Sequence, residues 1–224
     1  MSLQAKLDAF KADFEAGKPP YNVSRSVIET MHRGTAELIA SGAAQRALKA
    51  GDKIPSFVLK DANGKTVSSS ELLSQGPLVI SFYRGVWCPY CNMELRALQE
   101  TLPAFRELGA QLVAISPQNA VNSRKSLRDN RLDFPILSDV GNETAAAFGL
   151  RFALPDYLIA LYKSRKNDLP AFNGDTSWTL PMPARFVIGQ DGIIRYAEVN
   201  PDYTRRPEPS EMLPVLRGQI ARAA

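Results

Sequence analysis

Cysteine and histidine are scarce in this chain, with two of the first and one of the second among 224 residues. A zinc or iron–sulfur site ordinarily draws on four ligands. Cys88, Cys91 and the distant His32 do not make up such a set, so no metal and no other cofactor is expected. Long apolar runs are missing too: no stretch approaches the ~18 residues that a membrane-crossing helix needs. Met1 to Phe14 is polar and mixed in charge, without the apolar core or small-residue cleavage site of a secretory signal. The expectation is a cytoplasmic protein with no membrane partner. Nor does one sign of charge dominate, since 27 Lys and Arg face 23 Asp and Glu, for a net charge of +4. The basic residues are dispersed, which argues against nucleic acid as a partner; Arg124, Lys125, Arg128 and Arg131 read as an ordinary solvated helix face.

With 45% hydrophobic content the chain can bury a full core, as one domain plus an elaboration. Residues 1–50 read as a helical extension: Leu3, Leu7, Phe10 and Phe14 recur at helical spacing, and Val27, Ile28, Met31 and Leu38 continue it after the Gly17 to Pro20 break. Gly51 is the expected helix C-cap. A homodimer contact or a cap on the main fold would each explain such an extension. From Asp52 onward strands alternate with helices, the texture of an α/β sheet with parallel strands. Strands are expected at 78–83, 111–116 and 134–137, with a hairpin at 185–199 turning at Gln190-Asp191-Gly192. The intervening helix carries Leu95, Leu98, Leu102 and Phe105 on one face, and Pro103 predicts a kink or break in it. A C-terminal helix follows Glu208. The segment 152–182 fits neither pattern well and reads as an insertion near the site.

The two cysteines stand where an apolar strand gives way to a helix, in Tyr83-Arg84-Gly85-Val86-Trp87-Cys88-Pro89-Tyr90-Cys91. Pro89 suits the first helical position, which puts Cys88 near the N-cap. There a thiolate faces unpaired amides and the positive end of the helix dipole, an environment that lowers a thiol pKa. Arg84 adds a nearby positive charge. Three residues on, Cys91 lies beneath Cys88, placed to resolve a mixed disulfide or sulfenic acid on its neighbour. A bond across two intervening residues would constrain the unfolded chain very little, so a structural staple explains the pair poorly. A Cys-x-x-Cys that closes a strand and opens a long helix is a redox motif of the thioredoxin kind. Two inert buried cysteines are the alternative.

At these residues the chain resembles the peroxiredoxin-like branch of the thioredoxin superfamily, which includes alkyl hydroperoxide reductases and thiol-specific antioxidants. The similarity covers roughly Gly51 to Val199. It includes Gly51-Asp52-Lys53-Ile54-Pro55-Ser56-Phe57, which resembles the segment opening that domain, and Phe134-Pro135-Ile136-Leu137-Ser138-Asp139, which resembles its Phe-Pro-x-x-Ser-Asp strand. The resemblance implies a thioredoxin-like α/β fold over residues 51–224, a central mixed sheet flanked by helices. At the site Phe82 and Tyr83 match the family, Arg84 stands at its Pro, Cys88 at its Thr and Cys91 at its peroxidatic Cys, with Glu94 at a recurrent acid. Pro183 occupies the place of the family's arginine, ahead of Phe186-Val187-Ile188, and resembles the cis-proline of thioredoxins. A trans turn proline is the other reading, and Arg185 could reach the same face. The Pro89-Tyr90 dipeptide resembles that of glutaredoxins. Phe82 replaces the buried acid of thioredoxins, which leaves proton transfer to water or another group.

Two cycles follow from these implications. In one, Cys88 attacks a substrate disulfide, flanked by Trp87 and Pro183, and Cys91 releases the reduced product. In the other, Cys91 attacks a peroxide and Cys88 condenses with the resulting sulfenic acid. Both end in a Cys88–Cys91 disulfide and need an external thiol reductant of the thioredoxin or glutathione type. An antioxidant thiol–disulfide oxidoreductase covers both. A third class is a non-enzymatic redox sensor in which the same disulfide alters a binding surface.

Overall fold

The structure, a computed structural model, describes residues 1–223, with side chains as far as Gln219. It opens with helices α1 (Leu3–Glu15) and α2 (Arg25–Ala40), then β1 (Val58–Asp61), β2 (Thr66–Ser68), α3 (Ser69–Gln75) and β3 (Leu78–Phe82). The middle of the chain forms α4 (Pro89–Glu107), β4 (Gln111–Ser116), α5 (Ala120–Asn130), β5 (Ile136–Ser138) and α6 (Glu143–Ala147). It continues with β6 (Arg151–Ala153), α7 (Asp156–Ser164), α8 (Leu169–Asn173) and β7 (Thr179–Pro181), and closes with β8 (Ala184–Ile188), β9 (Ile194–Val199) and α9 (Met212–Ala223).

Seven strands form one mixed sheet in the order β2-β1-β5-β4-β3-β8-β9, and β6 pairs with β7 separately. Strand β3 is parallel to β4 and antiparallel to β8. All five of its residues are buried, as the unbroken apolar run of a central strand requires. Because side chains alternate across a strand, Val79 joins a cluster with Leu95, Leu98, Ala114 and Val187 on one face. Leu78, Ile80 and Phe82 join Ile115, Phe148 and Phe186 on the other. The hairpin between β8 and β9 turns where expected, with Gly192 at φ +78° and its amide bonded to the Gly189 carbonyl.

Helix α1 is capped by the Ser2 hydroxyl. Its Leu3 and Leu7 are buried in the same cluster as Cys88, Tyr90, Met212 and Leu216, so α1 covers the sheet face that carries the cysteines. Helix α2 buries no residue fully and leans on α7 instead. A Cβ at Gly34 would lie 2.5 Å from Leu158, so glycine permits this approach; the Tyr157 hydroxyl donates to Glu37 across the same contact.

Two local expectations fail. Pro103 neither breaks nor divides α4. Its ring is exposed while Leu98, Leu102 and Phe105 hold the opposite face in the core, so only a solvent-side hydrogen bond is forgone. Gly51 does not cap a helix, because α2 stops at Ala40 and Gly42, at φ +67°, is the left-handed residue that follows.

Candidate active site

Cys88 is the N-cap residue of α4, with φ −94° and ψ 109°, and Pro89 occupies the first turn. The turn before it is fixed from two sides: the Cys88 amide donates to the Gly85 carbonyl at 3.0 Å, and the Val86 amide to Gln118 Oε1 at 2.9 Å. Gly85, at φ +148°, lies so close to the Trp87 indole that a Cβ would sit 2.6 Å from its nitrogen. Both cysteines are free thiols and both are buried.

Their environments differ. Burial would raise the Cys88 thiol, but the hydrogen bond from Cys91 and the charge of Arg84 outweigh it and bring Cys88 down to about 6. For Cys91, burial is joined by the hydrogen bond to Cys88 and by that sulfur's charge, and all three push it well above the ordinary thiol range. Both directions favour placing the negative charge of the reduced pair on Cys88.

Three buried arginines surround the pair. Arg84 is 4% exposed. It donates to the Tyr162 hydroxyl and lies over the Tyr203 ring at 4.2 Å and the Trp87 ring at 5.0 Å, an aromatic cage that holds the cation by its quadrupoles. Arg206, from the segment between β9 and α9, pairs with Glu94 through Nε and points Nη2 at Cys91 Sγ, 3.8 Å away. Arg185 pairs with the other Glu94 oxygen at 3.3 Å and donates to the Pro207 carbonyl.

Of the residues singled out from the sequence, Cys88, Cys91, Arg84, Trp87, Pro89 and Tyr90 stand together. Tyr90 packs edge-on against Phe10 of α1 at 5.1 Å and against Tyr203 at 5.5 Å. Arg185 touches neither sulfur and reaches the site only through Glu94. Pro183 is trans, since Pro19–Pro20 is the one cis peptide bond among the described residues; the cis geometry suggested by the thioredoxin resemblance is absent. Pro183 is held by the β7–β8 connection and lines a small cavity with Leu38, Phe152 and Leu158 instead of abutting the cysteines. Sequence reasoning missed Arg206, Tyr162 and Tyr203, and also a buried network in which Gln118 Nε2 donates to the Tyr83 hydroxyl at 2.5 Å and to Ser126 Oγ at 3.1 Å.

A cavity of about 420 Å³ opens onto Cys88, walled mainly by Phe10, Phe14, Ile28, Met31, Trp87 and Tyr203. Cys88 lines it and Cys91 does not. Half of that wall comes from α1 and α2.

The family model of the AhpC/TSA family matches residues 50–197, well over half of the chain. The chain belongs to the AhpC/TSA family. Membership makes it a peroxiredoxin-like protein of the thioredoxin superfamily and a thiol-dependent oxidoreductase. A candidate peroxiredoxin of Mycobacterium tuberculosis is 35% identical over 107 residues, which are 48% of this chain and 70% of that one. The chloroplastic peroxiredoxin Q of Triticum aestivum is 27% identical over 146 residues, 65% of this chain but only 57% of the wheat protein. Among solved structures, the peroxidoxin BcpB of Mycobacterium tuberculosis superposes with a TM-score of 0.60 at 26% identity, covering 76% of this chain and 97% of that one. The segment carrying Arg206 and the two N-terminal helices lie outside the residues that the family model matches.

Proposed function

We propose that this chain reduces peroxides or disulfides with Cys88 as the first nucleophile and Cys91 as the resolving thiol. The carrying observation is that Cys88, and not Cys91, is among the residues lining the open cavity, and it is also the one whose thiol is lowered to about 6. With a peroxide, the Cys88 thiolate attacks one oxygen, the O–O bond breaks, and the alkoxide or hydroxide leaves with a proton as alcohol or water. Cys88 becomes a sulfenic acid. Cys91 then attacks that sulfur and the sulfenic hydroxyl departs with the Cys91 proton as water, leaving the Cys88–Cys91 disulfide. With a disulfide substrate, the same attack gives a mixed disulfide and the second thiol leaves. An external dithiol, or two monothiols, of the thioredoxin or glutathione type returns the pair to the reduced state.

A second reading has Cys91 attack a peroxide first. It is favoured by the guanidinium of Arg206 at 3.8 Å from that sulfur and by the position Cys91 takes in the family's pattern. Single Cys→Ser variants separate the two. After a sub-stoichiometric pulse of hydrogen peroxide in the presence of dimedone, Cys91→Ser is expected to carry the adduct on Cys88, and Cys88→Ser to react at least about tenfold more slowly. Rapid adduct formation on Cys91 in the Cys88→Ser protein would establish the second reading.

A further inference from the structure

The charges around the two sulfurs do not balance without a thiolate. Arg84, Arg185 and Arg206 are buried guanidiniums. Facing them are the fully buried Glu94 and, 4.0 Å from Arg185, the partly exposed Glu198, whose carboxyl burial pushes up to about 7. Guanidinium stays charged under all ordinary conditions, and an uncompensated buried charge is costly. In the reduced protein the Cys88 thiolate supplies the missing anion. Once Cys88 has been oxidised, that charge is gone, and so is the repulsion that kept Cys91 protonated. Tyr83, the other titratable group beside Cys91, is held protonated by its own burial.

Arg206 is fixed to exploit this change. Its Nε is taken by Glu94 and its Nη1 by the Arg205 carbonyl at 2.6 Å, so the rigid fork has Nη2 left for Cys91. The backbone behind it is tied to α1: Gln4 Oε1 accepts from the Arg206 amide at 2.8 Å, and Arg205 pairs with Asp8 at 3.6 Å. We infer that Arg206 is a catalytic residue of the second step: after Cys88 has reacted, its guanidinium stabilises the developing Cys91 thiolate by charge and hydrogen bond, while the Cys91 proton leaves with the hydroxyl of the Cys88 sulfenic acid as water and the S–S bond forms. Resolution thus waits for the first attack. The inference rests on Cys88 attacking first, and it assigns a function to a residue outside the stretch 50–197 that the family model matches.

The test uses the full-length reduced protein mixed rapidly with one equivalent of hydrogen peroxide. Sulfenic acid is trapped with dimedone at successive times and located by mass spectrometry, and disulfide formation is followed by loss of free thiol. Arg206→Met is expected to slow disulfide formation by about tenfold or more, as the loss of one buried charge-assisted hydrogen bond implies. Sulfenic acid should accumulate on Cys88, and the pH at which resolution is half-maximal should rise. Arg206→Lys keeps a cation beside Glu94 and is expected to recover part of the rate, which guards against a variant that merely fails to fold. Adduct on Cys88 with unchanged resolution in both variants overturns the role of Arg206 alone. Adduct on Cys91 overturns the order of attack, and this inference with it.

Discussion

Replacing Arg84 by Met tests the electrostatics of the site most directly. At a thiol pKa of about 6, Cys88 is roughly nine-tenths ionised at pH 7, against about one part in a hundred at the ordinary value of 9.0. The rate advantage is far smaller than that ratio. Thiolate nucleophilicity falls with basicity along a Brønsted slope of about 0.5, so three units of lowering forfeit roughly thirtyfold in intrinsic reactivity. The net gain at pH 7 is only about threefold, while at pH 5 it is about thirtyfold. The informative quantity is therefore the midpoint of the pH–rate curve. An opposite charge in close range ordinarily moves a titration by about 1 to 3 units, so Arg84→Met should carry the midpoint of Cys88 alkylation up by that amount. Iodoacetamide labelling between pH 4 and 10 in a Cys91→Ser background, whose hydroxyl keeps a donor beside Cys88, measures it. A midpoint already at 8.5 or above with Arg84 in place, or one that Arg84→Met leaves unmoved, would refute the assignment of Arg84 as the cation that holds the thiolate.

Two other expectations concern stability. Burial raises the Glu198 carboxyl from its ordinary 4.5 to about 7. A group whose native pKa is raised favours folding while protonated, so its contribution is complete below about pH 4.5 and disappears as pH rises through about 7. Glu198→Gln should flatten the stability–pH curve across that window, as measured by urea unfolding at a series of pH values; an identical slope in both proteins would show that Glu198 does not carry it. Leu7 of α1 is fully buried, and Leu7→Ala should cost about 3 kcal/mol in the same assay. A loss below about 1 kcal/mol would mean that α1 is not part of the cooperative core.

The parts of the molecule that were legible in the sequence are those whose cause is local. Pro89 at the first helical position, after a strand of five buried residues, is enough to put Cys88 at an N-cap. The run from Gln111 to Ser116 is uniformly strand-like and forms β4 at those bounds. Leu3 and Leu7 mark the buried face of α1 by spacing alone. What could not be read depends on distant residues. Arg206 meets Cys91 across 115 positions of sequence and Tyr162 meets Arg84 across 78. Arg206 lies in no periodic segment that would reveal which way its side chain turns, and Tyr162 lies in a short helix, α7, whose only buried residue it is. Pro183 shows the opposite error, in which a one-position match suggested a backbone geometry that the β7–β8 connection does not adopt. Arg185 sits on β8 beside Glu94, and strand alternation alone does not tell that Glu94 stands between it and the sulfurs.

Residues inside and outside the stretch that the family model matches both build this site. Residues 50–197 supply most of the sheet, the strand-to-helix turn, both cysteines and Arg84. Outside it, Tyr203 stacks on Arg84, Arg206 addresses Cys91, and α1 anchors the segment that carries both. The Arg206 guanidinium reaches Cys91 from the segment between β9 and α9. Because that guanidinium is already committed to Glu94, it cannot swing to Cys88 without breaking a buried ion pair, a loss of about 3 to 5 kcal/mol. Arg84, caged by Trp87, Tyr162 and Tyr203, is similarly held to the Cys88 side. Both guanidiniums are thus fixed in place, and in the proposed cycle the order in which the two cysteines react follows from which of them lines the cavity.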